Sequence, residues 1–423
     1  MTSPENDPTI LELTLTDITP DGRSIFYDER GRKIFVSYAI PGETITARIV
    51  DEGDDSANAE GLSILDPSAD RVLPQCPYFG LGQCGGCQWQ HMTYEAQLAL
   101  KTDIVATQLA EEGSFNDPPV EFALGSPDKW NYATYTTFLP MSDGQLGFLG
   151  TDGEAIIPIS ECHVIRPEIM ELADELNLSL ETLQNIQIQT SATGRPMIVL
   201  QTSDDEPPEL ETTVSASLNF ILSHREPFNM IGDTHITQVI FDRIFRVTAG
   251  VESRANLPQI ERLVEVVVNY LNLQGDEAIL DLYGGIGIFS AFIAPLVNIV
   301  TYIDSYPPAA TDAEANLEDL DNVDIIEGRT DAVLWEIADS DEHEDYAAAI
   351  IDPPANGMNF KAIQALAKLK IPTVVYVGQN PAIFARDAKV LVKEARYRLV
   401  KVQPIDFAPQ TAAIQCVGLF QRR

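Results

Sequence analysis

Residues 279 to 290 read Ile-Leu-Asp-Leu-Tyr-Gly-Gly-Ile-Gly-Ile-Phe-Ser, an apolar run with an acidic residue that leads into a glycine-rich turn. The apolar part predicts a buried strand at the start of a parallel sheet. Gly284, Gly285 and Gly287 allow the backbone of the turn to approach a ligand closely. The apolar segment 288–296 predicts the helix that leaves the turn. This order of elements indicates an open α/β sheet with a binding site at the turn.

A second apolar strand, 299–303, is predicted directly after that helix, and it ends at Asp304. An acidic residue at the end of the second strand is placed to bind the hydroxyls of a ribose. The sequence therefore predicts a ligand that contains a nucleoside. The glycine turn alone carries little weight, because strand-to-helix turns without any ligand are about as common.

Two later stretches strengthen the prediction. The segment 347–351 reads as a buried strand that stops at Asp352-Pro353-Pro354, and 373–377 reads as another that stops at Gly378-Gln379-Asn380-Pro381. In open α/β sheets, ligands bind at the carboxyl ends of the strands. We therefore expect these loops to line one cleft.

Composition indicates a globular protein. The chain has 423 residues, of which 45% are hydrophobic, enough for two or three domains with their own cores. Residues 1–9 are polar, and no run of about 18 apolar residues occurs that could span a membrane. We expect a soluble, cytoplasmic protein that does not bind a membrane.

The formal net charge of -37 would repel RNA, although the charge is uneven. Residues 361–401 contain nine Lys or Arg and two acids, so this stretch carries +7 and the rest of the chain -44. Arg386, Lys389, Lys393 and Arg396 recur at helical spacing after a helix start at Asn380-Pro381. A solvated helix face is favoured over an RNA-binding stripe, so RNA is expected to bind weakly. A salt-adapted source would also explain the acidity.

The N-terminal third combines a β-rich segment with a group of cysteines. Short alternating segments broken by turn residues across 10–65 predict a small β-barrel. Cys76, Cys84 and Cys87 follow, with Cys162 much later, and a tetrathiolate site fits these four cysteines. Spacing alone leaves zinc and a [4Fe-4S] cluster open, with two plain buried pairs as the alternative without metal. Because the sequence shows no secretion signal, a disulfide framework is not expected.

The cysteine segment closely resembles the iron-sulfur members of the RNA uracil-5-methyltransferase family. The resemblance lies in 71–76, in the Cys-Gly-Gly-Cys-Gln-Trp-Gln-His run of 84–91, and in Tyr94-Glu-Ala-Gln with Lys101. Pro41-Gly42-Glu43 matches the signature of a TRAM barrel, and Cys162 falls where the fourth cluster ligand belongs. The resemblance covers nearly the whole chain and favours a [4Fe-4S] cluster over zinc.

The resemblance implies three domains: an OB-like TRAM β-barrel over 9–67, a central α+β iron-sulfur domain over 68–250, and a Rossmann-like S-adenosylmethionine methyltransferase domain over 251–423. The family's cofactor-binding positions can be carried over residue by residue. They are Arg254, Asp281, Tyr283, Gly285, Gly287, Asp304 and Asp352. Arg254 and Ile288 depart from the family pattern, which puts S-adenosylmethionine binding itself in doubt.

The resemblance also identifies two chemical positions, and both are altered in this chain. The family nucleophile is the cysteine of a Ser-Cys-Asn-Pro turn, which here reads Gly378-Gln379-Asn380-Pro381. The family base is a glutamate near the C-terminus, which here is Gln415, in a final strand predicted over 413–417. A carboxamide can neither add to uracil C6 as a thiolate does nor accept the C5 proton. Strand alternation points Cys416 to the opposite face, so it is a poor substitute.

The leading hypothesis is a catalytically degenerate paralogue, a pseudoenzyme with a binding or scaffold role, for which a protein partner is a candidate. The rival is an active methyltransferase that acts on a nitrogen or oxygen acceptor, which needs no covalent activation. An oxidoreductase that binds a dinucleotide ranks third, because Ser290 occupies the third glycine position. Whether the chain is an enzyme stays open at this point.

Overall fold

The computed structural model describes residues 10–176, 182–206, 214–223, 227–340 and 344–423. The polar N-terminal segment 1–9, for which we predicted no membrane anchor, lies outside the described residues. Within the described ranges, no helix is both long and apolar enough to cross a membrane.

The N-terminal part is a sheet in which alternate side chains point into a small apolar core. Over the described residues it has six strands in the order β1-β5-β6-β4-β3-β2. They are β1 (Ile10–Thr14), β2 (Asp17–Ile18), β3 (Ser24–Tyr27), β4 (Lys33–Val36), β5 (Thr44–Glu52) and β6 (Ser56–Asp66). Leu13, Val36, Ile45 and Ala47 are buried together, at the two-residue period expected of strands with one covered face. The alternating segments read from the sequence are therefore strands.

The central part begins with the cysteine loop and helix α1. Its elements are α1 (Tyr94–Glu111), β7 (Tyr135–Pro140), β8 (Leu146–Leu149), β9 (Ile156–Pro158), α2 (Pro167–Asp174), β10 (Leu183–Gln189), β11 (Met197–Thr202), β12 (Ser217–Ile221) and β13 (Pro227–Ile231). In the described ranges, these seven strands form one sheet in the order β13-β12-β11-β10-β7-β8-β9. Helix α1 starts at Tyr94, where the Thr93 hydroxyl caps it by accepting from the Ala96 N–H.

A hairpin and a long helix lead from the central part into the last sheet. The hairpin strands are β14 (His235–Ile240) and β15 (Arg243–Thr248), and helix α3 (Leu257–Leu271) follows. Helix α3 buries Ile260, Leu263, Val264 and Val267 on one face, as an amphipathic helix does.

The C-terminal part is the open α/β sheet that the sequence predicts. Its elements are β16 (Ala278–Leu282), α4 (Ile288–Ile293), β17 (Ile299–Asp304), α5 (Pro307–Asn316), β18 (Val323–Glu327), α6 (Thr330–Asp339), β19 (Tyr346–Ile351), α7 (Phe360–Leu369), β20 (Thr373–Gly378), α8 (Pro381–Glu394), β21 (Tyr397–Ile405) and β22 (Gln415–Arg422). The strand order is β18-β17-β16-β19-β20-β22-β21. The first five strands of this order are parallel, whereas β22 runs antiparallel to both of its neighbours.

Two differences from the predictions have physical reasons. The final strand begins at Gln415 and not at residue 413, and it extends to Arg422. Strand β18 was not predicted, because an edge strand with acids at both Asp324 and Glu327 lacks the continuous apolar run of the central strands.

Candidate functional site

The sheet order creates a crevice beside β16. The chain leaves β16 toward β17 on one side, and it later returns to place β19 on the other side. In open α/β sheets, ligands bind outside the carboxyl ends of the strands at such a point of reversal. Asp304 ends β17, Asp352 follows β19 and Gln379 follows β20, so the predicted loops do meet at one rim.

The glycine turn after β16 is shaped by close packing and by backbone conformation. A Cβ at Gly284 would lie 2.2 Å from the ring of Tyr302, so any side chain there would clash. Gly285 has a φ of +56°, and a Cβ at that position would meet nothing within 4 Å. Gly285 therefore borders open space, where a ligand can lie against the backbone. Tyr283 precedes the turn with a φ of +60°, an uncommon conformation for a residue with a side chain.

Asp304 is oriented by the backbone of the same turn. Its carboxylate accepts hydrogen bonds from the N–H groups of Gly285, at 2.9 Å, and Tyr306, at 2.8 Å. Its side chain is only partly buried. Because each carboxylate oxygen has two lone pairs, these two bonds leave acceptor capacity for hydroxyl groups.

Asp281 differs from the other predicted cofactor residues because it is fully buried. One of its oxygens accepts from the N–H and the hydroxyl of Ser290, at 3.1 and 2.6 Å. The other oxygen has no hydrogen-bond partner among the described residues. Burial raises the pKa of Asp281 to about 7, and the Ser290 hydroxyl partly opposes that shift. Asp281 therefore supports the turn from beneath.

Arg254 joins Asp352, which follows β19, to Gln415 at the start of β22. Its guanidinium donates two parallel hydrogen bonds to the Asp352 carboxylate, both at 2.8 Å, and a third to the Gln415 amide oxygen at 2.9 Å. Its central carbon lies 5.4 Å from the centre of the Phe407 ring. The side chains of Arg254 and Asp352 are 16% and 12% exposed. We call this group the Arg254 clamp.

The two carboxamides that the sequence analysis singled out, Gln379 and Gln415, are neighbours. Gly378 pairs with Cys416 across β20 and β22, so Gln379 and Gln415 lie opposite each other where the paired strands end. The Gln379 amide makes only a long contact of 3.5 Å with the Pro353 carbonyl oxygen. Cys416 is fully buried, and burial raises the pKa of its thiol well above the usual range. It is therefore an apolar core residue, as strand alternation predicts.

The four cysteines of the central part line a single cavity of about 300 Å³. Cys76, Cys84 and Cys87 reach it from the loop before α1, and Cys162 reaches it from the loop after β9. Gly85 allows this approach, because a Cβ there would lie 3.1 Å from the carbonyl oxygens of Leu149 and Gly150.

The thiols are free and partly buried. Burial raises the pKa of Cys87 to about 12 and that of Cys162 to about 11, so both are neutral thiols when no cation is near. In the part of the chain that the structure describes, no three His, Cys, Asp or Glu side chains are arranged to hold a single metal ion.

A buried polar network joins the cysteine loop to the 406–412 segment, which leads into β22. Lys101 and Asp406 form a fully buried ion pair at 2.5 Å, and the Tyr94 hydroxyl donates to the same carboxylate at 2.9 Å. The backbone N–H of Trp89 donates to the backbone carbonyl oxygen of Gln410 at 2.9 Å. The residues just after Cys87 therefore anchor the segment that positions Gln415.

The basic stripe on α8 has partners inside the molecule. Arg386 binds the Asp387 carboxylate at 2.6 Å, and Lys389 donates to the Glu112 carbonyl oxygen at the end of α1. The helix starts at Pro381 as predicted, with Asn380 as its cap. Lys393 is exposed near the end of α8. Arg396 is also exposed, but it lies beyond the helix end at Glu394 with a φ of +59°, so the predicted helical spacing does not extend to it.

The chain was compared with known proteins. No family model matches it. It is 29% identical to an uncharacterized RNA methyltransferase of Halalkalibacterium halodurans, over 99% of this chain and 98% of that protein. It is 26% identical to an uncharacterized RNA methyltransferase of Staphylococcus aureus, over 96% of this chain and 97% of that one. This chain is similar, along almost its whole length, to proteins named RNA methyltransferases.

A solved structure supports the same similarity at the level of the fold. The crystal structure of the Pyrococcus abyssi tRNA (uracil-54, C5)-methyltransferase, in complex with S-adenosyl-L-homocysteine, matches with a TM-score of 0.74. The match covers 97% of this chain and all of that one, at 22% sequence identity. The two proteins therefore share the mixed α/β fold with its Rossmann-like sheet, and the RNA methyltransferase relatives agree with that fold.

Two features of the site were missed by sequence reasoning. The partners of Arg254 lie 98 and 161 residues away along the chain, and Lys101 and Asp406 are separated by 305 residues. The signal for the clamp was Arg254 itself, which the sequence analysis expected to depart from the pattern of the family that the chain resembles. The sequence feature that could have indicated the buried pair was Lys101, which lies in the segment after the cysteines that carries the family resemblance.

Proposed function

We propose that the chain is a relative of S-adenosylmethionine-dependent RNA methyltransferases that keeps their scaffold and nucleoside crevice but does not methylate uracil at C5. It would then act by binding, as a pseudoenzyme that presents RNA or a protein partner. The observation that carries this proposal is the pair of carboxamides, Gln379 and Gln415, at the adjoining ends of β20 and β22.

Methylation at C5 of uracil needs two groups that these positions no longer supply. A thiolate must add to C6 so that C5 becomes nucleophilic, and a base must then remove the C5 proton. An amide side chain has no ionisable site for either step near neutral pH. Cys416 is the nearest thiol along β22, but it is fully buried on the other face of the strand.

The geometry weighs against methyl transfer to a nitrogen or oxygen acceptor. In that alternative, the Asp352-Pro353-Pro354 loop would orient the acceptor through the Asp352 carboxylate. Both Asp352 oxygens are already bound by Arg254 at 2.8 Å. Each oxygen keeps a free lone pair, but the guanidinium charge offsets that of the carboxylate, so Asp352 attracts a further proton donor less strongly.

The crevice retains features that suit a nucleoside. Gly285 borders open space, and Asp304 is oriented beside it with acceptor capacity left over. Tyr283 and Gly287 belong to the same turn, and Asp352 follows the neighbouring strand β19. We therefore propose that S-adenosylmethionine or a close relative binds here, with Asp304 at the ribose.

We also propose a [4Fe-4S] cluster held by Cys76, Cys84, Cys87 and Cys162. The four cysteines line one cavity of about 300 Å³. Four cysteine thiolates are the usual ligands of such a cluster, and the resemblance of the cysteine segment to the iron-sulfur members of the family favours the cluster over zinc. The cluster would keep the cysteines as thiolates and cross-link the loop before α1 to the loop after β9.

The three-domain division over 9–67, 68–250 and 251–423 is part of the same proposal. It is supported by the separate sheets within these ranges and by an apolar core cluster in the first of them. RNA is the proposed polyanionic partner. Because the net charge of -37 repels a polyanion, we expect RNA to bind weakly.

Methyl transfer to unmodified RNA tests the proposed loss of activity. The protein is purified anaerobically and incubated with tritiated S-adenosylmethionine and RNA transcribed in vitro, and the RNA is then digested to nucleosides. We expect no label in 5-methyluridine. Label in 5-methyluridine would contradict the proposal, and label in another nucleoside would favour the nitrogen or oxygen acceptor.

A further inference from the structure

We propose that an exposed group along β21, formed by Arg398, Lys401, Arg423 and Phe122, binds single-stranded RNA by pairing with phosphates and stacking one base on the Phe122 ring. We call this group the β21 patch. The inference rests on the proposed RNA partner, and it names a surface for that partner at the edge of the last sheet.

The cations of the β21 patch follow one side of the sheet edge. Strand β21 is the outermost strand of the last sheet. In the register with β22, the partners of Arg398 and Lys401 are two residues apart, so both cations point to the same face, about 10 Å apart along the strand. The backbone N–H of Arg423 donates to the Arg396 carbonyl oxygen at 2.9 Å, which brings Arg423 beside the start of β21.

These cations have little acidic compensation, although the chain has 64 Asp and Glu against 27 Lys and Arg. Arg398 and Arg423 are exposed and form no ion pair with any residue that the structure describes. Lys401 pairs with Glu121 at 3.4 Å, but exposed pairs of this kind are weak. Salt at about 0.15 M screens charges beyond about 8 Å, so the local cations can hold phosphates although the net charge is negative.

Phe122 adds an exposed aromatic ring beside these cations. The segment that carries it runs along β21, with Val120 opposite Val402 and Leu124 opposite Ile405. Four steps along this segment therefore face three steps along the strand, and the extra residue makes a bulge. A bulge redirects a side chain, and Phe122 is 60% exposed.

Two contacts hold Phe122 at the β21 patch. The Gln403 amide donates to the Phe122 carbonyl oxygen at 2.8 Å, and the preceding residue, Glu121, pairs with Lys401. Single-stranded nucleic acids bind where cations hold the backbone and a base stacks on an aromatic ring. An acidic protein fits this surface less well, because the core of a protein interface is depleted of charged residues.

Fluorescence anisotropy with a labelled oligouridine of about 12 nucleotides tests the proposal on the full chain at low salt. Phe122→Ala should weaken binding about tenfold through the loss of stacking, whereas Phe122→Tyr should retain it. Phe228→Ala is the matched control, since Phe228 is 45% exposed on β13, and it should bind like the wild type. The melting temperature verifies that each variant is folded.

The contribution of the arginines is tested by their salt dependence. Arg398→Gln with Arg423→Gln should weaken binding about fivefold and lower the slope of log affinity against log salt by about two. This variant also decides the proposal if Phe122→Ala does not fold, because an unchanged affinity and slope would overturn it.

Removal of the acid beside Lys401 should strengthen binding. We expect Glu121→Gln to bind the oligouridine about threefold more tightly, because Lys401 is then free to hold a phosphate. Glu95→Gln is the control with the same change in net charge. Its pair with Lys129 is similar, at 3.5 Å with side chains 79% and 45% exposed, and the affinity should change less.

The outcomes separate this proposal from the proposed RNA partner. If the wild type binds RNA but folded Phe122→Ala loses no more affinity than Phe228→Ala, the β21 patch is overturned and the RNA partner stands. Equal gains in Glu121→Gln and Glu95→Gln, or displacement of the RNA by poly-glutamate of equal charge, also overturn it. If the wild type does not bind the oligouridine at low salt, the RNA partner fails and the β21 patch fails with it.

Discussion

The cysteine cavity and the crevice at the strand ends lie in the same chain, but they differ in the side chains that they present. In the cavity, four cysteines from two separate loops face a common space of about 300 Å³. In the crevice, Asp304 and Asp352 lie at strand ends, and Gln379, Gln415 and Arg254 lie at the same edge of the sheet. The cavity thus offers four thiols, whereas the two carboxamides of the crevice offer neither a nucleophile nor a base.

A buried polar network joins the cysteine loop to the wall of the crevice. Lys101, Trp89 and Gln97, which follow the cysteine loop, bind the 406–412 segment that leads into β22. Loss of order in the cysteine loop would therefore spread to the wall of the crevice. This coupling is structural and does not require any chemistry in the crevice.

The largest expected effect is on the cavity. Cys87→Ser removes one of the four proposed ligands, and we expect iron to fall from about four atoms per chain to below one, with a lower melting temperature. Iron analysis and visible absorbance after anaerobic purification provide the measurement. Cys416→Ser is the matched control, since this buried cysteine lies far from the cavity, and its iron content should not change. Unchanged iron in Cys87→Ser, or stoichiometric zinc in the wild type, would refute the cluster.

The second largest expected effect is on the buried Lys101–Asp406 pair, which links the two regions. Lys101→Met leaves Asp406 buried without its cation, and we expect a loss of about 3 to 5 kcal/mol in the free energy of unfolding. Lys401→Met is the control, because its pair with Glu121 is 42% and 49% exposed at 3.4 Å, and it should cost about 1 kcal/mol or less. Denaturant titration measures both. Similar losses in the two variants would show that the buried pair does not hold the regions together.

The free energy of unfolding should depend on pH because of Asp281, which lies beneath the glycine turn. Burial raises its folded-state pKa to about 7 from 3.8, so the native state holds a proton that the unfolded state releases. Stability should therefore fall as pH rises from about 4 to about 7, by an amount of order 4 kcal/mol at most. Asp281→Asn should flatten this part of the profile, as measured by denaturant titration between about pH 4.5 and about pH 7.5. An identical slope in the variant would contradict the assignment.

The smallest expected effect concerns the basic stripe. Lys393→Gln with Arg396→Gln removes two exposed charges, and we expect a decrease in RNA affinity of about threefold or less, with a small decrease in the salt dependence. Filter binding at several salt concentrations measures this. Arg386 and Lys389 are left unchanged, because replacing them would also break bonds inside the protein. A change in stability would then be mixed with the change in RNA affinity. A loss above about a hundredfold would make the stripe a principal RNA site.

The sequence was informative where a local pattern has only one structural solution. The apolar runs that end at Leu282, Ile303, Ile351 and Val377 are parallel strands in the structure, since such runs are buried on both faces. The helix start at Asn380-Pro381 was equally clear, because a capping side chain and a proline act locally.

Long-range partners were not readable in the same way. Strand β21 carries Arg398, Lys401 and Pro404, so its composition hides the fact that it pairs with β22. The clamp depends on three side chains from β19, from β22 and from the segment before α3, and no local pattern specifies that they meet. Sequence resemblance identified the altered positions, but only the fold gave Arg254 its partners.

The covalent trapping of 5-fluorouracil-substituted RNA tests the central claim most directly. The fluorine at C5 cannot be removed as a proton is, so a protein that adds a thiolate to C6 and transfers the methyl group stays attached to the RNA. We predict no denaturant-stable adduct for the wild-type protein in the presence of S-adenosylmethionine, and at most a trace for Gln379→Cys with Gln415→Glu. An adduct formed by the unaltered protein would contradict the account, because no accessible thiol lies at the described strand ends to make it.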